Sequence, residues 1–145
     1  MKPGRILVVD DESGVRDLFC LLLRRLGHDV RVAGEIQEAA RVLANGPGFD
    51  LVLLDLIMPG SDGLSVLREV RADRPGLPCV VISGKLLRSD EVGYLAAEGV
   101  PLHPKPFRNE DVLRTIDAIL AGPGTGKDLE GSSPSGGREL DRCAD

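Results

Sequence analysis

Short unbroken runs of apolar residues alternate along the chain with longer amphipathic stretches. Three of these runs contain no polar position, namely Ile6–Val9, Leu51–Leu54 and Cys79–Ile82. Unbroken apolar runs of this length are typical of strands that are buried on both faces of a parallel sheet. The three runs therefore predict the central strands of such a sheet.

Two further segments predict strands at the edges of the same sheet. The segment Val30–Ala33 carries the charged Arg31 in its middle, which suits an edge position. The segment Val100–His103 contains Pro101 and is followed by Pro104. Proline has no backbone N–H to donate to a neighbouring strand, so a strand that contains it belongs at an edge.

Apolar residues spaced three or four positions apart predict a helix after each strand. Gly27 is expected to end the first helix, and Asn109 is expected to cap the start of the fifth. The apolar positions that mark the five helices are Val15, Leu18, Phe19, Leu22 and Leu26; Ile36, Ala39, Ala40 and Leu43; Leu64, Leu67 and Val70; Val92, Leu95 and Ala96; and Val112, Leu113, Ile116, Ile119 and Leu120.

Five strands that alternate with five helices predict an α/β protein with an open, doubly wound parallel sheet. Right-handed crossover connections then place helices on both faces of the sheet. The three apolar strands belong at the centre and the second and fifth strands at the edges. This arrangement predicts the flavodoxin-like strand order 2-1-3-4-5.

Composition and charge narrow the classes of function. The chain has 145 residues, of which 42% are hydrophobic, and this favours a single domain with a substantial core. A net charge of −5 argues against a nucleic-acid or membrane-surface partner, which would need a basic excess. The apolar runs are too short for a membrane span or a signal peptide, so a cytoplasmic location is expected.

The composition changes after Ala121. Residues 122–145 include 6 Gly, 3 Ser and 2 Pro among 24 positions, which predicts a disordered tail behind a folded domain at residues 1–121. The segment Ala121–Lys127 resembles a phosphate-binding loop. That motif needs Ser or Thr after the lysine and a strand before the loop, whereas Asp128 follows the lysine here. Nucleotide binding is therefore not expected.

Side chains that can bind ligands or react follow the predicted strands at their carboxyl ends. Asp10 and Asp11 follow the first strand and Asp55 follows the third, while Ser83 and Lys105 follow the fourth and fifth. In an open α/β sheet, ligands bind at this edge, where the strand order reverses. Carboxylates gathered there repel one another, which predicts a hard divalent cation with oxygen ligands, and Mg²⁺ fits best.

A carboxylate beside Mg²⁺ can attack a phosphoryl group and form an aspartyl phosphate. Lys105 offers a positive charge and Ser83 a hydroxyl donor for the charge that develops on the phosphoryl oxygens. Each feature alone also fits a solvated turn, a helix cap or a surface lysine. Together they favour one phosphoryl-accepting site, because several independent loops would otherwise have to imitate it.

The chain resembles the receiver domains of two-component response regulators from about Arg5 to Ala121. The resemblance rests on motifs that occur in order at the strand ends: Asp10-Asp11-Glu12, Leu54-Asp55-Leu56-Ile57-Met58-Pro59-Gly60, Asp62-Gly63, Ser83-Gly84 and Lys105-Pro106-Phe107.

This resemblance implies a role for each residue of the site. Asp55 is the expected phosphoacceptor, and the Lys105–Pro106 peptide bond is expected to be cis. The expected Mg²⁺ ligands are Asp10, Asp11, Asp55 and the backbone carbonyl of Ile57. The expected phosphoryl-binding residues are Ser83, Gly84 and Lys105.

Signalling in this family implies a movement of Ser83 and a change in the face formed by the fourth helix, the fifth strand and the fifth helix. Many members carry an aromatic switch residue three positions before the lysine, where this chain has Leu102. Leucine offers no ring to bury and no hydroxyl to bond. We therefore expect the signal to pass through a backbone shift of the fourth helix, with Ser83 and Leu102 as switch positions.

The resemblance implies a phosphoacceptor rather than an enzyme with its own substrate. Its partners would be a sensor histidine kinase or a histidine phosphotransfer protein and an unknown downstream protein. One alternative is a phosphorylation-independent binding module on the same fold. Another, a Mg²⁺-dependent phosphatase, needs a second Asp where Glu12 stands. His28 and His103 are expected at the surface, not as phosphodonors.

Overall fold

A computed structural model describes residues 3–45, 48–56, 63–84 and 87–121, and in these ranges it forms a five-stranded sheet with five helices. All strand pairs are parallel and the order is β2-β1-β3-β4-β5. The predicted fold class and strand order are confirmed. The elements are β1 Arg5–Val9, α1 Ser13–Arg25, β2 Asp29–Ala33, α2 Ile36–Asn45, β3 Leu51–Asp55, α3 Gly63–Asp73, β4 Cys79–Ser83, α4 Ser89–Ala97, β5 Leu102–Pro104 and α5 Asn109–Ala121.

The sheet separates two hydrophobic cores. Successive side chains of β1 alternate between them, with Leu7 and Val9 in the core beneath α2, α3 and α4 and Ile6 and Val8 in the core beneath α1 and α5. Both faces of the central strands are therefore buried, which explains their unbroken apolar sequence. In the described ranges, none of the helices is long and apolar enough to cross a membrane.

Helix α1 ends in a Schellman motif, as the glycine at its end predicts. Gly27 has a φ of 97°, a left-handed conformation that glycine adopts without strain. Its N–H donates to the carbonyl of Arg24 at 2.9 Å, and the N–H of His28 donates to that of Leu23 at 3.1 Å. These two bonds satisfy carbonyls that the helix leaves without partners and turn the chain towards β2.

Strands β1 to β4 match their predicted bounds to within one residue, and the differences that matter most lie at β5 and at the start of α5. Strand β5 begins at Leu102, two residues later than predicted, and includes Pro104 as its last residue. Pro101 lies before the strand and uses its carbonyl to accept the N–H of Val81 at 2.9 Å. Asn109 is the first residue of α5 rather than its cap, because the carbonyl of Arg108 already accepts a helical hydrogen bond.

The two histidines are less exposed than expected. His28 is buried, and its Nδ1 accepts the backbone N–H of Gly4 at 3.0 Å, so the expectation of a solvated His28 is wrong. The Schellman motif carries this residue beneath the start of β1. His103 is half-buried, with its Nε2 2.9 Å from Oγ1 of Thr115. Burial lowers the pKa of His28, partly opposed by the charge of Asp117.

The buried His28 is expected to make stability depend on pH. Because the pKa of His28 is lower in the folded state, the unfolded chain binds more protons below about pH 6.5, and stability falls there. A His28→Asn variant keeps an acceptor for Gly4 but does not titrate. It should lose about 1 kcal/mol less than wild type between pH 7.5 and 5.5, measured by urea unfolding. Parallel pH profiles for the two proteins would contradict this assignment.

Candidate functional site

The carboxyl ends of the strands bring the predicted site residues to one edge of the sheet. Asp10 directly follows β1, and Asp55 is the last residue of β3; both are almost fully buried. Ser83 ends β4 and is also buried, while Lys105 directly follows β5. Because β2 and β3 flank β1, the chain connections diverge here and leave a crevice between β1 and β3.

Three carboxylates meet in this crevice. Asp10, Asp11 and Asp55 each offer a carboxylate oxygen, and these oxygens lie within 4.8 Å of one another. Oδ1 of Asp10 accepts the N–H of Glu12 at 2.9 Å, whereas Oδ2 is buried and has no hydrogen-bond partner within the described ranges. A buried oxygen left in this way costs stability unless a ligand reaches it. The donor set therefore fits a divalent cation, and the exposed side of Asp11 leaves room for the waters that Mg²⁺ retains.

The electrostatics of Asp10 point in the same direction. Burial raises the pKa of the Asp10 carboxyl to about 7, and the neighbouring charge of Asp55 acts in the same sense. The N–H of Glu12 and the charge of Lys105 oppose the shift without cancelling it. The crevice thus holds negative charge at a cost, which a bound cation would offset.

Lys105 supplies the positive charge of the crevice. Its Nζ lies 3.7 Å from Oδ2 of Asp55 and 3.4 Å from Oε1 of the exposed Glu12, so one ammonium is shared between two carboxylates. Burial alone would lower the pKa of Lys105, but the charges of Asp55, Asp10 and Glu12 outweigh it and raise the pKa. The amine therefore stays protonated at neutral pH.

The backbone around Lys105 fixes its direction. Its N–H donates to the carbonyl of Ser83 at 2.7 Å, and the Lys105–Pro106 peptide bond is cis. The next residue, Phe107, packs its ring against that of Phe19, with 5.9 Å between the ring centres. These contacts tie the segment after β5 to both β4 and α1.

Of the remaining predicted residues, Gly84 and Leu102 lie within the described ranges and Ile57 does not. A Cβ built on Gly84 would lie 3.4 Å from Cδ of Lys105, which is van der Waals contact, so Gly84 lies directly beside the lysine stem. Leu102 is half-buried and packs against the core beneath α2, α3 and α4. Ile57 lies outside the described residues, as does most of the segment that follows Asp55, and so does the predicted tail at residues 122–145.

Sequence reasoning missed two residues beside the crevice. Glu12 was expected only as part of an acidic motif, yet it shares the ammonium of Lys105 with Asp55. Arg16 donates from Nη1 to the backbone carbonyl of Asp10 at 2.7 Å. The sequence held a signal for Arg16, because it occupies the same helical row as the buried Cys20 and Phe19.

The chain is similar to known proteins over most of its described length. The model of a family described as the response regulator receiver domain matches residues 6–117. Response regulator MprA of Mycobacterium sp. (strain KMS) is 38% identical over 118 residues, which cover 81% of this chain and 51% of the relative. The chain spans about half the length of the first curated relatives that it matches.

Solved structures share the fold. A CheY-like response regulator receiver domain protein from Methanospirillum hungatei is 26% identical with a TM-score of 0.75, covering 90% of this chain and 100% of that chain. The response regulator TrrA from Thermotoga maritima, solved in complex with Mg²⁺ and BeF, is 31% identical with a TM-score of 0.65. That match covers 83% of this chain and 99% of TrrA.

Proposed function

The chain belongs to the family of response regulator receiver domains, and on that premise we propose that it accepts a phosphoryl group on Asp55 in a Mg²⁺-dependent reaction. One observation carries the proposal. The buried carboxylate of Asp55 shares a crevice with two further carboxylates and lies 3.7 Å from a lysine ammonium. A nucleophile, a cation site and a positive charge for the phosphoryl oxygens are thus within reach of one another.

The phosphodonor that we propose is a phosphohistidine of a sensor histidine kinase or of a histidine phosphotransfer protein, in the cytoplasm. An oxygen of Asp55 attacks phosphorus, a P–O bond forms, and the P–N bond to the imidazole breaks. The electron pair of that bond returns to the imidazole nitrogen, which regains a proton from water. Gly84, which follows Ser83, has no side chain to obstruct this approach.

The side chains around Asp55 stabilise the charge that moves in this step. We propose that Asp10, Asp11, Asp55 and the backbone carbonyl of Ile57 hold Mg²⁺, which supplies positive charge to the phosphoryl oxygens when bound. The ammonium of Lys105 moves from the Asp55 carboxylate to a phosphoryl oxygen and keeps a charge-assisted hydrogen bond there. The hydroxyl of Ser83 donates to another of these oxygens.

We infer that the signal leaves the site through the face formed by α4, β5 and α5, towards a downstream protein that the sequence does not identify. The second half of α4 and the residue that follows the helix, Glu98, are tied to α3 by two contacts. The guanidinium of Arg68 lies 4.9 Å from the ring centre of Tyr94, and Nη1 of Arg71 lies 3.1 Å from Oε1 of Glu98. The first half of α4, Ser89–Gly93, begins six residues after Ser83 and is the part of the helix nearer to it in the chain, so movement is expected there.

A phosphoryl mimic is therefore expected to move the first half of α4 more than its second half. Backbone amide shifts recorded with and without beryllofluoride and Mg²⁺ should change most from Ser89 to Gly93 and least from Tyr94 to Ala97. The variant Arg71→Gln, which breaks the ion pair with Glu98, should extend the changes into the second half. An α4 without shifted amides in the activated wild type would contradict this route.

The proposed function itself is tested on the wild-type chain. Intact mass is measured after incubation with a small acyl-phosphate donor, with Mg²⁺ and with EDTA. A gain of one phosphoryl group only with Mg²⁺ is the expected result. No gain, together with no beryllofluoride binding by fluorine NMR, would overturn the proposal. It would favour the alternative function, a phosphorylation-independent binding module, which Leu102 in place of an aromatic residue supports.

A further inference from the structure

Arg16 reaches from α1 to the backbone of a proposed cation ligand. Its Nη1 donates to the carbonyl oxygen of Asp10 at 2.7 Å. On the other side of the same residue, the N–H of Asp10 donates to the carbonyl of Ala33, at the end of β2, at 3.1 Å. The backbone of Asp10 is therefore held by two neighbouring elements just where β1 ends and its side chain enters the crevice.

The guanidinium of Arg16 lies on Gly34, the residue that follows β2. A Cβ built on Gly34 would lie 2.8 Å from Nη1 and 3.3 Å from Cζ of Arg16. The φ of Gly34 lies outside the left-handed region, so space rather than backbone conformation explains the glycine here. The N–H of Gly34 donates to Oε1 of Glu38 at 2.9 Å, which fixes this surface against α2.

We propose that Arg16 is a positioning residue for the cation site and that Gly34 provides the seat that lets it reach Asp10. This inference rests on the proposed function, because it concerns the Mg²⁺ site of that proposal. The three carboxylates repel one another, so their geometry must be held by contacts outside the crevice. The hydrogen bond from Arg16 restrains the peptide that carries one of them, in the way that outer contacts orient the ligands of a metal site.

The proposal makes a specific statement about two residues that offer no ligand atom to the cation. Truncating Arg16 and adding a methyl group to Gly34 should damage the same hydrogen bond by different means. The Ala methyl displaces the end of a flexible side chain rather than backbone, so the fold should tolerate it. Two changes that act through one contact are not additive, whereas independent changes multiply their fold-effects.

The experiment compares Arg16→Met, Gly34→Ala and the double variant on the full chain. The dissociation constants of Mg²⁺ and Mn²⁺ are measured by calorimetry at pH 8. Each single variant is expected to weaken binding about tenfold. The double variant should bind no more weakly than Arg16→Met, because a methyl group at position 34 then has no guanidinium to displace. Arg16→Lys, which keeps a charged donor, should recover part of the loss.

A second measurement separates positioning from a general loss of stability. The N–H of Glu12 donates to Oδ1 of Asp10, so the Glu12 amide shift reports the carboxylate position without a cation. It should move alike in Arg16→Met and Gly34→Ala. Arg25→Met and Gly14→Ala are matched controls on α1, since Arg25 is exposed and a Cβ at Gly14 meets nothing within 4 Å. Both controls should bind the cation as the wild type does.

Each other outcome overturns a defined part of the inference. If the wild type binds the cation and Arg16→Met binds it with the same affinity, the positioning role is overturned and the proposed function stands. Fold-effects that multiply in the double variant would overturn the role of Gly34 as a seat for Arg16. No cation binding by the wild type would overturn the proposed function, and this inference with it.

Discussion

Replacing Asp55 with asparagine is expected to reduce phosphorylation by roughly a thousandfold or more, to the background of the intact-mass measurement. Asparagine keeps the size of the buried side chain, but an amide is a poor nucleophile towards phosphorus. It also replaces one of the three carboxylates that gather within 4.8 Å. Both losses act on the same chemical step, which makes this the largest effect expected of any single substitution.

The matched control is Asp17→Asn, an exposed carboxylate on α1. It changes the net charge equally and should leave the rate and extent of phosphorylation unchanged. If Asp55→Asn still gained a phosphoryl group, peptide mapping would identify the modified residue. Modification at Asp10 or Asp11 would mean that a neighbouring carboxylate can substitute in the crevice, and Asp55 would no longer be the sole acceptor.

Replacing Asp10 with asparagine is expected to stabilise the cation-free fold and to weaken cation binding strongly. The buried Oδ2 of Asp10 has no hydrogen-bond partner in the described ranges, and the carboxylate lies beside those of Asp11 and Asp55. A neutral amide removes this repulsion, so the free energy of unfolding in EDTA at pH 8 should rise by about 1–3 kcal/mol. Mg²⁺ affinity should fall about a hundredfold, because one charged ligand is lost.

The pH dependence of this stability difference follows from the pKa of Asp10. Burial raises that pKa to about 7 from an ordinary value of 3.8, so the folded state binds more protons than the unfolded state between these values. Wild-type stability therefore falls as pH rises towards 7, and the advantage of Asp10→Asn is full above that pH and small near pH 4. Urea unfolding in EDTA at several pH values measures it, with Asp17→Asn as the control. A destabilised Asp10→Asn variant in EDTA would contradict the charge argument.

In the presence of Mg²⁺ the wild type, and not Asp10→Asn, should be the more stable of the two proteins. A ligand that binds only the folded state raises the free energy of unfolding. At concentrations above the dissociation constant, the increase grows with the logarithm of the ratio of ligand concentration to that constant. Millimolar Mg²⁺ should therefore raise the unfolding midpoint of the wild type and leave that of Asp10→Asn unchanged. This comparison separates a lost cation site from a damaged fold in a single titration.

The sequence predicted the fold well because its strongest signals are local. An unbroken apolar run such as Leu51–Leu54 is stable mainly in a strand that is buried on both faces. A glycine placed like Gly27, after an amphipathic stretch, commonly ends a helix. The predicted site residues lie where the carboxyl ends of parallel strands must meet, so their convergence followed from topology.

What the sequence did not predict depends on contacts between distant segments. The burial of His28 requires the backbone of Gly4 as a partner, and the position of Arg16 requires the open surface of Gly34. The helical row of Arg16 indicates that its side chain faces the sheet, but neither pairing has a local signature, because each joins residues that become close only after the sheet has formed. The start of β5 was missed for a related reason: Pro101 contributes a carbonyl to the sheet but cannot contribute an N–H.

The two edges of the sheet also affect the tendency of the protein to aggregate at high concentration. Strand β5 has only three residues and ends in Pro104, which has no N–H to offer another chain. At the opposite edge, β2 carries the exposed Arg31, and a charged side chain on an edge strand disfavours pairing with another strand. Short length, proline and charge are the features by which natural sheets resist templated addition of further strands. We therefore expect that neither edge of the described sheet seeds amyloid-like aggregation at high concentration.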